Sequence, residues 1–143
     1  MLRIAGEVGL GGVQLHGVEP PEMIEALRRA RPGLFIAKAV RMLEAADLAA
    51  TATSPADAVM VDPKDPAKPG ARSSPIPVDW LGGGHHPHLI VAGCLTPTSV
   101  GNVVRMLHPW GVDVSGGVEE SPGRKDVRLV RAFVAAVRAA EGG

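Results

Sequence analysis

Residues 89–107, LIVAGCLTPTSVGNVVRML, hold one complete strand-and-helix unit, and its reading sets the pattern for the rest of the chain. Leu89 to Ala92 is a short continuous apolar run, as expected of a strand covered on both faces of a sheet. Gly93-Cys94 ends it. Thr96 supplies a helix N-cap and Pro97 suits the first helical position, so a helix is expected from there to about Leu107.

Outward from this unit the same alternation recurs. Upstream, Ala58 to Val61 is a short buried strand ending in Asp62. Before it, Leu34 to Val40 (LFIAKAV) reads as a strand, and Arg41 to Thr51 is helical in composition until Ser54-Pro55 breaks the pattern. The first strand is Gly12 to His16, ended by Gly17. A helix over Pro21–Ala30 follows, opened by Pro20-Pro21, with Met23, Ile24 and Leu27 as its apolar stripe. Downstream, Gly111 to Ser115 forms a fifth strand ended by Gly116-Gly117. A last helix over Lys125–Ala140 carries Val127, Val130, Phe133, Val134 and Val137 on one face. Pro63 to Pro77 reads as a long loop, and Asp79-Trp80-Leu81 opens a short helix running into Gly82-Gly83-Gly84. Alternating strands and helices of this kind predict a parallel α/β sheet in one domain, 1–143, with ligand chemistry at the strands' carboxyl ends.

Composition excludes several classes of function. The chain has 143 residues, 45% of them apolar and 21% charged, which fits one globular domain. Fifteen basic residues balance fifteen acidic ones, so nothing in the bulk charge points to nucleic acid or an anionic membrane. A phosphate-bearing small molecule stays open, because backbone amides bind it without bulk positive charge. The longest apolar runs fall short of a membrane span, and no secretory signal is visible. The single cysteine, Cys94, forms no intrachain disulfide, and a reducing cytoplasmic setting is expected.

Among single residues, Asp62 follows apolar residues at a strand's carboxyl end, where partial desolvation suits a general acid. A carboxylate capping the next loop explains it equally well. Gln14 and His16 alternate along one strand and share a face, and they read as structural. Lys38, inside an apolar strand, reads as a buried, hydrogen-bonded residue. His85, His86 and His88 sit in a Gly- and Pro-containing turn without a clustered carboxylate, so a solvated loop is expected and no metal site.

Four segments, in order, resemble the phosphoribosylanthranilate isomerase family. They are Gly12–Glu19 (GVQLHGVE), Val59–Asp62 with Asp79-Trp80, Val91–Val100 (VAGCLTPTSV) and Val112–Asp126 (VDVSGGVEESPGRKD). The last is the most specific. The resemblance implies an α/β fold that is part of a (β/α)8 TIM barrel, about five βα units corresponding to strands 4–8. It implies an isomerase of tryptophan biosynthesis that works without cofactor on a phosphosugar. The reaction is the Amadori rearrangement of N-(5-phosphoribosyl)anthranilate to 1-(2-carboxyphenylamino)-1-deoxyribulose 5-phosphate. An acid protonates the ribose ring oxygen to open a Schiff base, and a base then removes the C2 proton. By resemblance Asp62 is that acid. Gly93 and the Ser115-Gly116-Gly117 run let backbone amides approach the substrate phosphate, and Asp113 sits near the anthranilate amine.

The departures are specific. The family base is a cysteine in a C-G-x-T motif, and this sequence contains no such motif. Cys94 stands at a family glycine, Ser99 at a family asparagine, and Gly70 alone survives from a family G-G-x-G run. A whole barrel takes about 200 residues or more. Five strands cannot close one, so open edges are expected, covered by self-association or by a missing N-terminal partner. The alternative reading is a non-catalytic or partner-dependent partial barrel that binds a sugar phosphate.

Overall fold

A computed structural model of the chain describes residues 1–63, 77, 80 and 84–142. The expected loop between Pro63 and Pro77, with Gly70, lies outside the described residues apart from its two ends, as do Asp79, Leu81, Gly82 and Gly83. Five strands, β1 (Gly12–Leu15), β2 (Phe35–Met42), β3 (Ala58–Pro63), β4 (Leu89–Val91) and β5 (Gly111–Val112), lie side by side in chain order. Every neighbouring pair is parallel. The helices are α1 (Leu2–Glu7), α2 (Pro21–Ala30), α3 (Ala45–Ala50), α4 (Val100–Leu107) and α5 (Val127–Glu141).

Burial is what holds this arrangement. Ile36, Val59, Val61, Leu89 and Val91 are wholly buried and share a core with Leu48, Val100, Val104 and Phe133 of the helices. Register sets Lys38 beside Leu15 and Val59 on this covered face. Its ammonium is 3.2 Å from Glu19 and donates to the Gly17 carbonyl at 2.7 Å. The half-buried lysine is therefore satisfied by an ion pair, and Glu19 is held below its ordinary value first by a hydrogen bond to its own backbone and then by Lys38.

Several boundaries differ from expectation. β2 runs on to Met42, because Arg41 and Met42 keep the ladder with Asp62 and Pro63. The following helix starts only at Ala45, where Glu44 and Asp47 form a capping box. α4 begins at Val100 rather than at Pro97: Thr96 and Ser99 cap each other first, Ser99 N reaching Thr96 Oγ1 at 3.2 Å and Thr96 N reaching Ser99 Oγ at 3.0 Å. β5 is two residues long, although the Asp113 amide still donates to Val91 O at 2.8 Å. On α5 the buried side is Leu129, Phe133, Ala136, Val137 and Ala140, so Phe133 and Val137 of the expected stripe face the core while Val127, Val130 and Val134 are exposed. That face is chosen by α4 packing alongside. An antiparallel hairpin, β6 (Glu119–Ser121) with β7 (Arg124–Lys125), precedes α5 and was not expected. Its turn carries Pro122 and then Gly123 at φ +81°, the pairing a tight turn with one left-handed residue requires.

The histidine turn is a correction as well. His86 is 5% exposed, so the turn is solvated only in part: Gly84, Pro87 and His88 are exposed as expected. The His86 amide donates to Thr51 Oγ1 at 3.1 Å, His85 meets the carbonyls of His86 and Leu107, and His88 meets the Asp57 carbonyl at 2.8 Å. Backbone groups entering β4 use these imidazoles as partners. Among the described residues no group of three His, Cys, Asp or Glu side chains converges as metal ligands do. No described helix is long and apolar enough to cross a membrane.

Asp57 ties the amino-terminal ends of the strands together. Its carboxylate accepts the Ile36 amide at 2.8 Å and Arg28 Nη1 at 2.9 Å, and Arg28 also donates to Pro55 O at 2.9 Å. Burial alone would raise this carboxyl, but the Ile36 amide and the Arg28 guanidinium outweigh it and hold it below its ordinary 3.8. A depressed folded value means the unfolded chain takes up the proton first. The contribution is therefore complete above the ordinary value and is lost as pH falls through the folded one. Asp57→Ala is expected to cost about 1–3 kcal/mol in urea unfolding at neutral pH, with the difference from the parent shrinking in acid.

Candidate active site

Strand alternation puts Gln14, Met60, Asp62, Ile90 and Gly111 on the face opposite the helices. At the carboxyl ends of β3, β4 and β5 this face opens into a cavity of about 760 Å³. Its wall includes Gln14, His16, Asp62, Gly93, Asp113 and the Ser115-Gly116-Gly117 run. All six residues singled out from the sequence as site residues thus meet in one cavity. Asp62 lies on β3, and the other five lie in the turns leaving β4 and β5.

The geometry explains the residue types. Asp62 is half-buried near the end of β3, with Arg41 as its ladder neighbour on β2. Sequence reasoning assigned Arg41 to a helix and so missed it. Gln14 Nε2 lies 3.2 Å from His16 Nδ1 and 3.7 Å from Met60 Sδ. Reaching Met60 from β1 means crossing β2, which is feasible because Ala37 and Ala39 leave the space open. Both Gln14 and His16 are exposed to the cavity rather than packed as structural side chains.

Two turns close the far wall. Gly93 and Cys94 both have positive φ, +90° and +48°. The left-handed region is costly for a residue with a Cβ, so Cys94 occupies a backbone shape suited to the glycine the family carries there. The turn after β5 comes so close to the turn after β4 that a Cβ on Gly117 would lie 1.7 Å from the Leu95 carbonyl oxygen. Gly116, by contrast, has open space where its Cβ would be. Lys125, which sequence reasoning passed over, donates to Ser115 O at 2.9 Å and Ser115 Oγ at 3.1 Å. Its only sequence signal is its place in the VDVSGGVEESPGRKD segment. The cavity thus brings the carboxylates of Asp62 and Asp113 together with two small, glycine-containing turns, a set suited to acid–base chemistry on a molecule anchored by an anion.

Parallel strands in chain order, with helices on one face and a cavity at their carboxyl ends, make this a TIM-barrel-like α/β protein. The family described as N-(5'-phosphoribosyl)anthranilate (PRA) isomerase matches over residues 1–136. The chain belongs to that family. It is 42% identical over 137 residues to N-(5'-phosphoribosyl)anthranilate isomerase of Rhodopseudomonas palustris strain HaA2, which covers 90% of this chain and 62% of the relative. The chain therefore spans under two thirds of the length of that relative. It is similar to the crystal structure of phosphoribosyl anthranilate isomerase from Thermus thermophilus, with a TM-score of 0.74 and 33% identity over 96% of this chain and 66% of that one. A second crystal structure of such an isomerase, in complex with reduced 1-(o-carboxyphenylamino)-1-deoxyribulose 5-phosphate, has a TM-score of 0.70 and 27% identity, covering 96% and 64%.

The Gly117 contact yields a sharp comparison. Gly117→Ala is expected to destabilise the chain by about 2–3 kcal/mol, since backbone must move to admit the methyl group. Gly116→Ala should stay within about 0.5 kcal/mol of the parent. Thermal melting of both variants checks this, and equal melting temperatures would contradict the interlocked turns.

Proposed function

We propose that this chain carries the carboxyl-terminal strands of a phosphoribosylanthranilate isomerase barrel, β1 to β5 corresponding to strands 4–8 of the eight. On this reading residues 1–143 are one domain that acts on N-(5-phosphoribosyl)anthranilate. The observation that carries it is the convergence of Asp62, Asp113, Gly93 and Ser115-Gly116-Gly117 on one cavity in a member of this family.

Asp62 is the general acid. It protonates the ribose ring oxygen, the C1–O bond breaks, and the anthranilate nitrogen forms a Schiff base. Loss of the C2 proton then gives the enolamine, which tautomerises to the ketone, and no cofactor is needed. Asp113 faces the anthranilate amine, and amides of the Gly93 and Ser115-Gly116-Gly117 turns take the phosphate. Residues 1–143 hold no C-G-x-T cysteine, so the base is either another residue among them or lies with the strands that these residues do not include. A soluble biosynthetic enzyme of this kind works in the cytoplasm.

Turnover of freshly made substrate, followed by loss of anthranilate-type fluorescence, tests this. Asp62→Asn is expected to lower the rate by about 100-fold or more, and a loss under about tenfold would remove Asp62 from the acid's role. A folded chain with no turnover, restored by adding the remaining strands as a second polypeptide, would assign the base to that partner. The open edges of β1 and β5 carry a second expectation, that the chain associates through them with another copy or with such a partner. Sedimentation of a folded monomer at tens of micromolar, alone, would count against self-association.

A further inference from the structure

The hairpin between β5 and α5 lies outside the cavity, yet it reaches back to the cavity wall through one side chain. Lys125 on β7 donates to the Ser115 carbonyl at 2.9 Å, to Ser115 Oγ at 3.1 Å and to Glu119 Oε1 at 2.7 Å. Glu119 is its register partner on β6, and at 17% side-chain exposure it is the more buried of the two. The Ser115 carbonyl also accepts the Val118 amide at 3.3 Å, closing the 3-10 turn Gly116–Val118. At the hairpin's other end the Asp126 amide donates to Val118 O at 2.9 Å, and Asp126 caps α5 through the Arg128 amide at 2.7 Å. The turn holding Gly116 and Gly117 is therefore clamped at both ends. Gly117 seats it against Leu95, and Lys125 holds its first residue.

We propose that Lys125, aligned by Glu119, is a positioning residue for the Ser115-Gly116-Gly117 turn, holding its amides in the conformation that receives a phosphate ester. The inference rests on the phosphate reading given above. Three donors on one ammonium match three acceptors, two on Ser115 and one on Glu119. The bonds are charge-assisted and stronger than neutral ones. Glu119 is necessary because, without it, the flexible lysine stem has many other places to put its charge. Lys125 thus acts through Ser115, and the turn arrives at its ligand already ordered.

Positioning and simple charge make opposite predictions for Glu119→Gln. That change removes a negative charge from the neighbourhood of an anion site. If Lys125 served only as positive charge, inorganic phosphate would bind more tightly to the variant. If it positions the turn, phosphate binds about threefold to tenfold more weakly, since a charge-assisted bond is lost. Lys125→Met is expected to weaken inorganic phosphate about tenfold or more, and Lys125→Arg to recover most of that loss. Amide hydrogen exchange of Val118, whose amide donates to the Ser115 carbonyl and closes this turn, measured without ligand on the intact chain, supplies a reading independent of phosphate. Exchange should accelerate in Lys125→Met and Glu119→Gln and stay near the parent rate in Lys125→Arg. Tighter phosphate binding by Glu119→Gln overturns the proposal, and so does unchanged exchange in both weakened variants. If exchange responds as expected but the parent binds neither inorganic phosphate nor ribose 5-phosphate, the phosphate reading falls instead. Should Lys125→Met fail to fold, Glu119→Gln and Lys125→Arg still decide.

Discussion

One face of the sheet is sealed by helices, and the other follows from it. Ile36, Val59, Val61, Leu89 and Val91 leave no surface in contact with water, and burying such side chains is worth about 1.5–3 kcal/mol each. Side chains alternate along a strand, so fixing these residues inward against α2 to α5 fixes their neighbours outward. A slip of one residue in β3 would send Val59 and Val61 to the open face and Asp62 to the core. The positions of Asp62 and Asp113 are thus set by the valines beside them. No interaction of the carboxylates themselves is required to aim them.

The parallel ladder adds a second condition. All five strands point the same way, so their carboxyl ends and the turns leaving them lie at one rim. Residues separated by a hundred positions, Gln14 and Ser115 for example, become neighbours around one cavity. Small residues on β2 matter here as much as large ones elsewhere. Ala37 and Ala39 keep the inner face low between β1 and β3, so Gln14 can reach Met60 across them. At the opposite rim Asp57, Arg28 and His88 bind backbone groups to one another, with Trp110 stacked between the rings of Phe35 and His88. One rim is spent on holding the strands and the other is left open for a ligand.

Much of this was legible in the sequence, and the reasons divide cleanly. The strands were visible because short runs such as VMVD and LIVA are apolar without helical spacing, and each ends at a glycine or a carboxylate. Asp62, Asp113 and the glycine turns were singled out mainly through the resemblance of segments such as VDVSGGVEESPGRKD. The structure places them around one cavity because all of them lie at or just after strand ends on the same rim. What was missed depends on contacts between distant segments. Which face of α5 is buried depends on α4 packing alongside, with Gly101 against Ala136, and periodicity alone allowed the stripe through Val127 and Val134. The start of α4 moved because Thr96 and Ser99 satisfy each other before a helix can begin. The histidines looked like a polar loop because their partners, Thr51, Leu107 and Asp57, lie far off in sequence. The β6–β7 hairpin was readable in principle: Pro122-Gly123 between two short charged segments is a turn signature, overlooked beside the stronger helix that follows.

The close approach of Gly117 to Leu95 bears on how such a protein can diverge. Two turns in van der Waals contact through backbone alone leave no side chain there to vary and no slack for an insertion. Changes of length in either turn would have to be matched in the other at the same moment. Descendants of this chain can therefore alter the shape of what they accept from the side lined by Gln14, His16 and Met60, where side chains do the lining. The rim formed by the two turns would stay the same from one descendant to the next. A family built this way keeps one end of its cavity constant while the other is free to change.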